Sequence, residues 1–68
     1  MSVKELVKTV STNYSCLYEI RCPKRGLIYN RRRWDEIGRA WKEKEVLYAI
    51  PMKLIDAQIL YWIICVKE

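Results

Sequence analysis

Residues 58–66 read Gln58-Ile59-Leu60-Tyr61-Trp62-Ile63-Ile64-Cys65-Val66. The run is short and dominated by β-branched and aromatic side chains, so it predicts a strand. Successive side chains of a strand point to opposite faces. Ile59, Tyr61, Ile63 and Cys65 share one face, and Leu60, Trp62, Ile64 and Val66 share the other. Both faces are apolar, which marks a strand buried on both sides, and one sheet in a 68-residue chain rarely covers both alone. Either the N-terminal segment covers the second face or another chain does. In the second case Leu60, Trp62, Ile64 and Val66 form a candidate partner face, including the face of a homodimer.

The N-terminal segment is suited to the first role. Ser2 and Glu5 fit a capping box, and Val3, Leu6, Val7 and Val10 recur at helical spacing. A short helix follows, with a strand as the competing assignment because the segment is rich in valine. Ser11-Thr12-Asn13 reads as a break. Tyr14–Cys22 then alternates, with Cys16, Tyr18, Ile20 and Cys22 facing one way and Leu17, Glu19 and Arg21 the other. Pro23-Lys24-Arg25-Gly26 places Pro and Gly where a tight turn uses them, and Leu27-Ile28-Tyr29 returns as a short strand.

From Asn30, a good N-cap, to about Lys44 the pattern is helical. Trp34, Ile37, Gly38 and Trp41 share a stripe opposite Asp35, Glu36, Arg39 and Lys42. A glycine in that stripe costs about 1 kcal/mol of helix propensity and suggests close approach to the sheet. Val46–Ile50 predicts a strand, with Pro51 marking its end or an edge, and Met52–Ala57 connects to the final strand. The sum is a single α+β domain over residues 1–68: a small antiparallel sheet of three to four strands, a main helix over about 31–44 packed on it, and a possible short N-terminal helix.

Charge is unevenly placed. The net charge is +5, and residues 21–45 hold nine of the thirteen Lys and Arg against four acids, so the rest of the chain is balanced. Arg21, Lys24, Arg25, Arg31, Arg32 and Arg33 fall within thirteen residues that contain no acid. Such a run attracts polyanions or an acidic protein surface. Arg31–Arg33 would open the predicted helix, where cations oppose the macrodipole, so something other than helix stability placed them there. Guanidiniums beside free helix N–H groups would hold phosphate. Lys24 and Arg25 would add a contact at the hairpin tip, on the same end of the domain. Tyr14, Tyr18, Tyr29 and Tyr48, interleaved with the basic residues, could stack bases, although such residues more often belong to a core or its rim.

Little in the chain suggests catalysis. There is no His and no Gly-rich phosphate loop. Asp35 and Glu36 are consecutive and point apart, Asp56 stands alone, and Ser11 and Ser15 have no visible base. Three cysteines and no His give no recognisable metal site, and no cofactor or small-molecule substrate is expected. Cys16 and Cys22, six residues apart on one strand, would stand about 20 Å apart, beyond disulfide reach. The odd cysteine count and the lack of a signal-peptide pattern point to the cytoplasm. The longest apolar run is far short of the roughly 20 residues of a membrane span.

Two functions follow as expectations for a non-enzymatic binding protein. The first is nucleic-acid binding through the hairpin tip and the arginine-rich helix start. The second is a phage- or plasmid-type inhibitor or adaptor that docks its basic patch, or its C-terminal apolar strand, on a larger host protein.

Overall fold

The structure, a computed structural model, describes residues 1–10, 16–54 and 59–68, and the side chains at positions 10, 53, 54, 59 and 60 lie outside that description. Ser11–Ser15, Asp56 and Gln58, and the side chains of Val10 and Leu60, are therefore outside the described residues.

Helix α1 spans Val3–Val10. Its start is the reciprocal box expected from the sequence: the Ser2 N–H donates to Glu5 Oε1 and the Glu5 N–H donates to Ser2 Oγ, both at 3.2 Å. Accepting that bond holds the Glu5 carboxyl below its ordinary pKa. Strands β1 (Cys16–Cys22) and β2 (Gly26–Arg32) form the hairpin, with Gly26 at φ 75°, where a side chain would be strained. Strands β3 (Val46–Leu54) and β4 (Ile59–Val66) form a second antiparallel pair.

The fold is α+β, with one four-stranded sheet in the order β2-β1-β4-β3. It is mixed rather than purely antiparallel, because the two inner strands, β1 and β4, run parallel from Cys16↔Leu60 to Arg21↔Cys65. β2 and β3 lie on opposite edges, so residues 33–45 must cross the sheet to join them. The doubly apolar strand is central, as burial on both faces requires. Pro51 sits within β3, paired with Trp62, and the edge position accommodates a residue with no N–H.

The long helix expected over 31–44 does not form. β2 continues through Asn30 to Arg32, because Tyr18 of β1 pairs with Arg32. The ladder is irregular there, and Arg31 takes φ 51°. A 3₁₀ turn occupies Trp34–Glu36 and helix α2 only Arg39–Lys42. Gly38 separates them at φ −60° and ψ 144°, an extended conformation. The glycine therefore caps the start of α2 instead of sitting inside a long helix. The close approach to the sheet does occur: the Gly38 N–H donates to the Tyr29 hydroxyl at 3.0 Å, and a Cβ there would meet that oxygen at 3.0 Å.

The apolar stripe survives the break. Trp34, Ile37 and Trp41 still pack with Val3, Val7, Tyr18, Ile20, Ile64 and Val66 in one core. Tyr18 meets Trp34 edge-on, with ring centroids 5.7 Å apart. Burial pushes the Tyr18 phenol up to about 12. Backbone bonds fasten the N-terminus to this layer, from Val3 N–H to the Lys44 carbonyl at 3.0 Å and from Val46 N–H to the Met1 carbonyl at 2.8 Å.

Trp62, Ile64 and Val66 therefore do not form a free partner face. Ile64 and Val66 are fully buried and Trp62 is half-buried against the same core, because α1 covers them. All three cysteines are free thiols. No helix among the described residues is long and apolar enough to cross a membrane.

Candidate functional site

The opposite face of the sheet carries no helix among the described residues. Its side chains follow from the ladders as a grid. Leu27, Arg21, Cys65 and Tyr48 stand in one row across β2, β1, β4 and β3. Glu19, Ile63 and Ile50 form the next row, and Leu17, Tyr61 and Met52 the third. The middle of the grid is closed and the rim is open. Tyr61 and Cys65 are buried, whereas Leu27, Tyr48, Ile50 and Met52 expose 50%, 51%, 45% and 38% of their surface. The Cys65 side chain next to Tyr48 raises the phenol pKa.

A polar cluster sits within this apolar face. Glu19 is only 4% exposed. Arg21 donates to Glu19 Oε2 through Nε at 2.6 Å, with Nη2 at 2.5 Å from the same oxygen. Arg31 approaches the other carboxylate oxygen at 4.0 Å, donates to the Tyr61 hydroxyl at 3.1 Å and lies 4.3 Å from the centre of the Tyr61 ring. A buried carboxylate is costly unless paired, and two guanidiniums supply the pairing. The two arginine side chains remain 49% and 42% exposed, so they still present charge at the surface.

The basic segment is acid-free in sequence but not in space. Arg25 Nε lies 2.6 Å from Glu68, which also accepts from Cys22 Sγ at 3.4 Å and ties the hairpin tip to the end of the chain. Arg32 lies 3.9 Å from Glu36. Three carboxylates thus meet four of the six cations, and Lys24 and Arg33 have no ion pair among the described residues. The tip and Arg31–Arg33 also do not share an end of the domain. Gly26 pairs with Cys22 and Arg32 with Tyr18, four residues along β1, or about 13 Å apart. The helix start expected to hold phosphate beside Arg31–Arg33 is absent too, since two of those residues belong to β2 and only a three-residue 3₁₀ turn follows.

The tyrosines divide in the same way. Tyr18 is buried, Tyr29 is half-buried and accepts from Gly38, Tyr14 is outside the described residues, and only Tyr48 is exposed. Of the rim residues, Tyr48 enters the sequence analysis only as one that could stack bases, and Ile50 and Met52 enter it without a site role. Their period-two spacing is present in the chain, but Pro51 marks either a strand end or an edge, and only the edge alternative lets β3 run on through Met52.

Comparison with family models, with curated proteins and with solved structures finds no match to this chain.

Proposed function

We propose that the protein acts by binding rather than catalysis, as an adaptor or inhibitor whose open sheet face docks on a larger protein. The observation that carries this reading is the exposed apolar rim of Leu27, Tyr48, Ile50 and Met52 around the Arg21–Glu19–Arg31 cluster. Large apolar side chains gathered on one uncovered face mark a protein contact more than a nucleic-acid contact. Ile50 and Met52 offer nothing to a phosphate, and the Tyr61 ring is already occupied by Arg31. The two half-exposed arginines favour a partner with carboxylates beside an apolar patch. A second copy of the chain would set arginine against arginine on a protein of net charge +5, so a different protein is the better occupant.

The test is capture from a nuclease-treated lysate of the source cells. The reading expects one protein retained by the wild type and by Lys67→Ala, and lost with Ile50→Asp. Retention that Ile50→Asp leaves unchanged would overturn it. Recovery of nucleic acid from an untreated lysate, with no protein retained once nuclease is added, would favour the second reading, that Lys24 and Arg33 contact a phosphate backbone. What supports that alternative is the exposure of both side chains and their lack of an acidic partner among the described residues.

A further inference from the structure

A groove lies on the helical side of the molecule, away from the open sheet face. α1 and α2 enclose a groove of about 590 Å³, lined by Lys4, Val7, Lys8, Trp34, Arg39, Lys42 and Glu43. Lys4 and Lys8 are four residues apart, so they share one side of α1. Arg39 and Lys42, three apart on α2, face them. Four cations therefore surround one concavity against a single carboxylate. That carboxylate, Glu43, holds Arg39 only loosely, at 4.0 Å with the two side chains 66% and 93% exposed. Exposed pairs of this kind contribute little and yield readily to a better anion.

The groove also has an aromatic wall. The Lys42 ammonium stands 4.5 Å from the centre of the Trp34 ring, and Tyr18 braces the same indole edge-on from the core. Lysines hold phosphate as mobile point charges, and arginine holds it through a planar fork. An indole accepts a base of any identity by stacking. The volume is in the range of sites for small organic ligands and exceeds what a simple anion needs.

We propose that this groove binds a nucleotide unit. Lys4, Lys8 and Arg39 take the phosphates. Lys42 leaves the ring to join them, and the base lies on Trp34 in its place. The site is separate from the protein-docking face. The ligand is either a free nucleotide or one unit of a single strand, and the chemistry of recognition is the same for both.

Titration calorimetry with ADP, with an oligothymidylate and with inorganic pyrophosphate, at low salt, tests the proposal. The expected result is binding of ADP or the oligonucleotide that weakens about tenfold with Lys8→Ala and with Arg39→Ala, and is unchanged by Lys67→Ala. Both removed side chains lie at the surface, so the variants should keep the wild-type circular-dichroism spectrum and melting curve. Trp34→Leu should weaken ADP while leaving pyrophosphate unaffected, and where that variant fails to fold, quenching of Trp fluorescence by ADP but not by pyrophosphate gives the same information. Equal affinity for ADP and the oligonucleotide identifies a free nucleotide. Binding of the oligonucleotide alone, with steep salt dependence, identifies a strand. The proposal is overturned by an absence of binding to either probe, by affinities indifferent to Lys8 and Arg39, or by pyrophosphate or oligoglutamate binding as tightly as ADP.

Discussion

The two faces of the sheet are built from similar side chains and treated differently. One face presents Tyr18, Ile20, Ile64 and Val66 to α1, the 3₁₀ turn and α2, and all four are buried. The other presents Tyr48, Ile50, Met52 and Leu27 to solvent around a closed centre. The first face holds the fold together. The second keeps a carboxylate–guanidinium cluster where a purely structural face would keep leucines, and leaves apolar rim atoms uncovered. Apolarity alone therefore does not separate core from contact surface; what decides is which face the rest of the chain can reach.

The sharpest way to break that contrast is to cut equal amounts from each face. Ile64→Ala should destabilise the protein by about 3 kcal/mol, and Ile50→Ala by less than about 1 kcal/mol, because only the first leaves a cavity. Urea denaturation of the two variants measures the difference, and equal losses would mean that both faces are core. Alkaline titration sharpens the same point through Tyr18. Its folded pKa is raised from 10.0 to about 12, so it binds its proton more tightly folded than unfolded. Its contribution is fully present below pH 10 and is lost as the pH rises toward 12, an amount of about 2 kcal/mol. Tyr18→Phe should lack that part of the decline, and parallel curves for variant and wild type would show that burial does not hold the proton.

A smaller contrast separates ion pairs on the open face from those at its edge. Arg21→Ala strips the nearer partner from a buried carboxylate and should cost about 1–3 kcal/mol. Arg32→Ala removes one end of a pair exposed at both ends and should cost less than about 0.5 kcal/mol. Similar melting temperatures for the two variants would show that Arg31 alone satisfies Glu19. A last, single-site effect concerns the segment that crosses the core face. Gly38→Ala should cost about 1 kcal/mol, since its backbone angles suit alanine but the Tyr29 hydroxyl must give way by a few tenths of an ångström. A stabilised variant would mean that the segment prefers continuous helix.

Much of the fold was legible in local patterns. The capping box at Ser2, the alternation of β1, the turn ending at Gly26 and the central place of β4 all rest on chemistry between near neighbours in sequence. Three features were not legible, each because it depends on residues far apart. The open side of β4 could not be chosen from a strand apolar on both sides; the bonds from Met1 and Val3 to Val46 and Lys44 choose it. The basic segment looked unpaired at its hairpin tip because Glu68 reaches Arg25 only in the fold, whereas Glu19 and Glu36, two and four residues from Arg21 and Arg32, were near neighbours that a count confined to the segment left out. The groove was invisible because Lys4 and Lys8 cancelled against acids in the count of charge, while Arg39 and Lys42 fell on the outer side of a helix expected to pack on the sheet.

The parallel pairing of β1 with β4 also governs how the molecule is made. Cys16 meets Leu60 across 44 residues (60 − 16). Neither inner strand can complete its ladder until residues 59–66 have left the ribosome. Until then β1 has only the hairpin partner β2, and its inner edge waits unpaired beside the apolar Leu17 and Ile20. Contacts so distant in sequence slow the search for the native state relative to a helical bundle of equal length. The nascent protein is thus most open to mispairing and to chaperone capture just before β4 emerges.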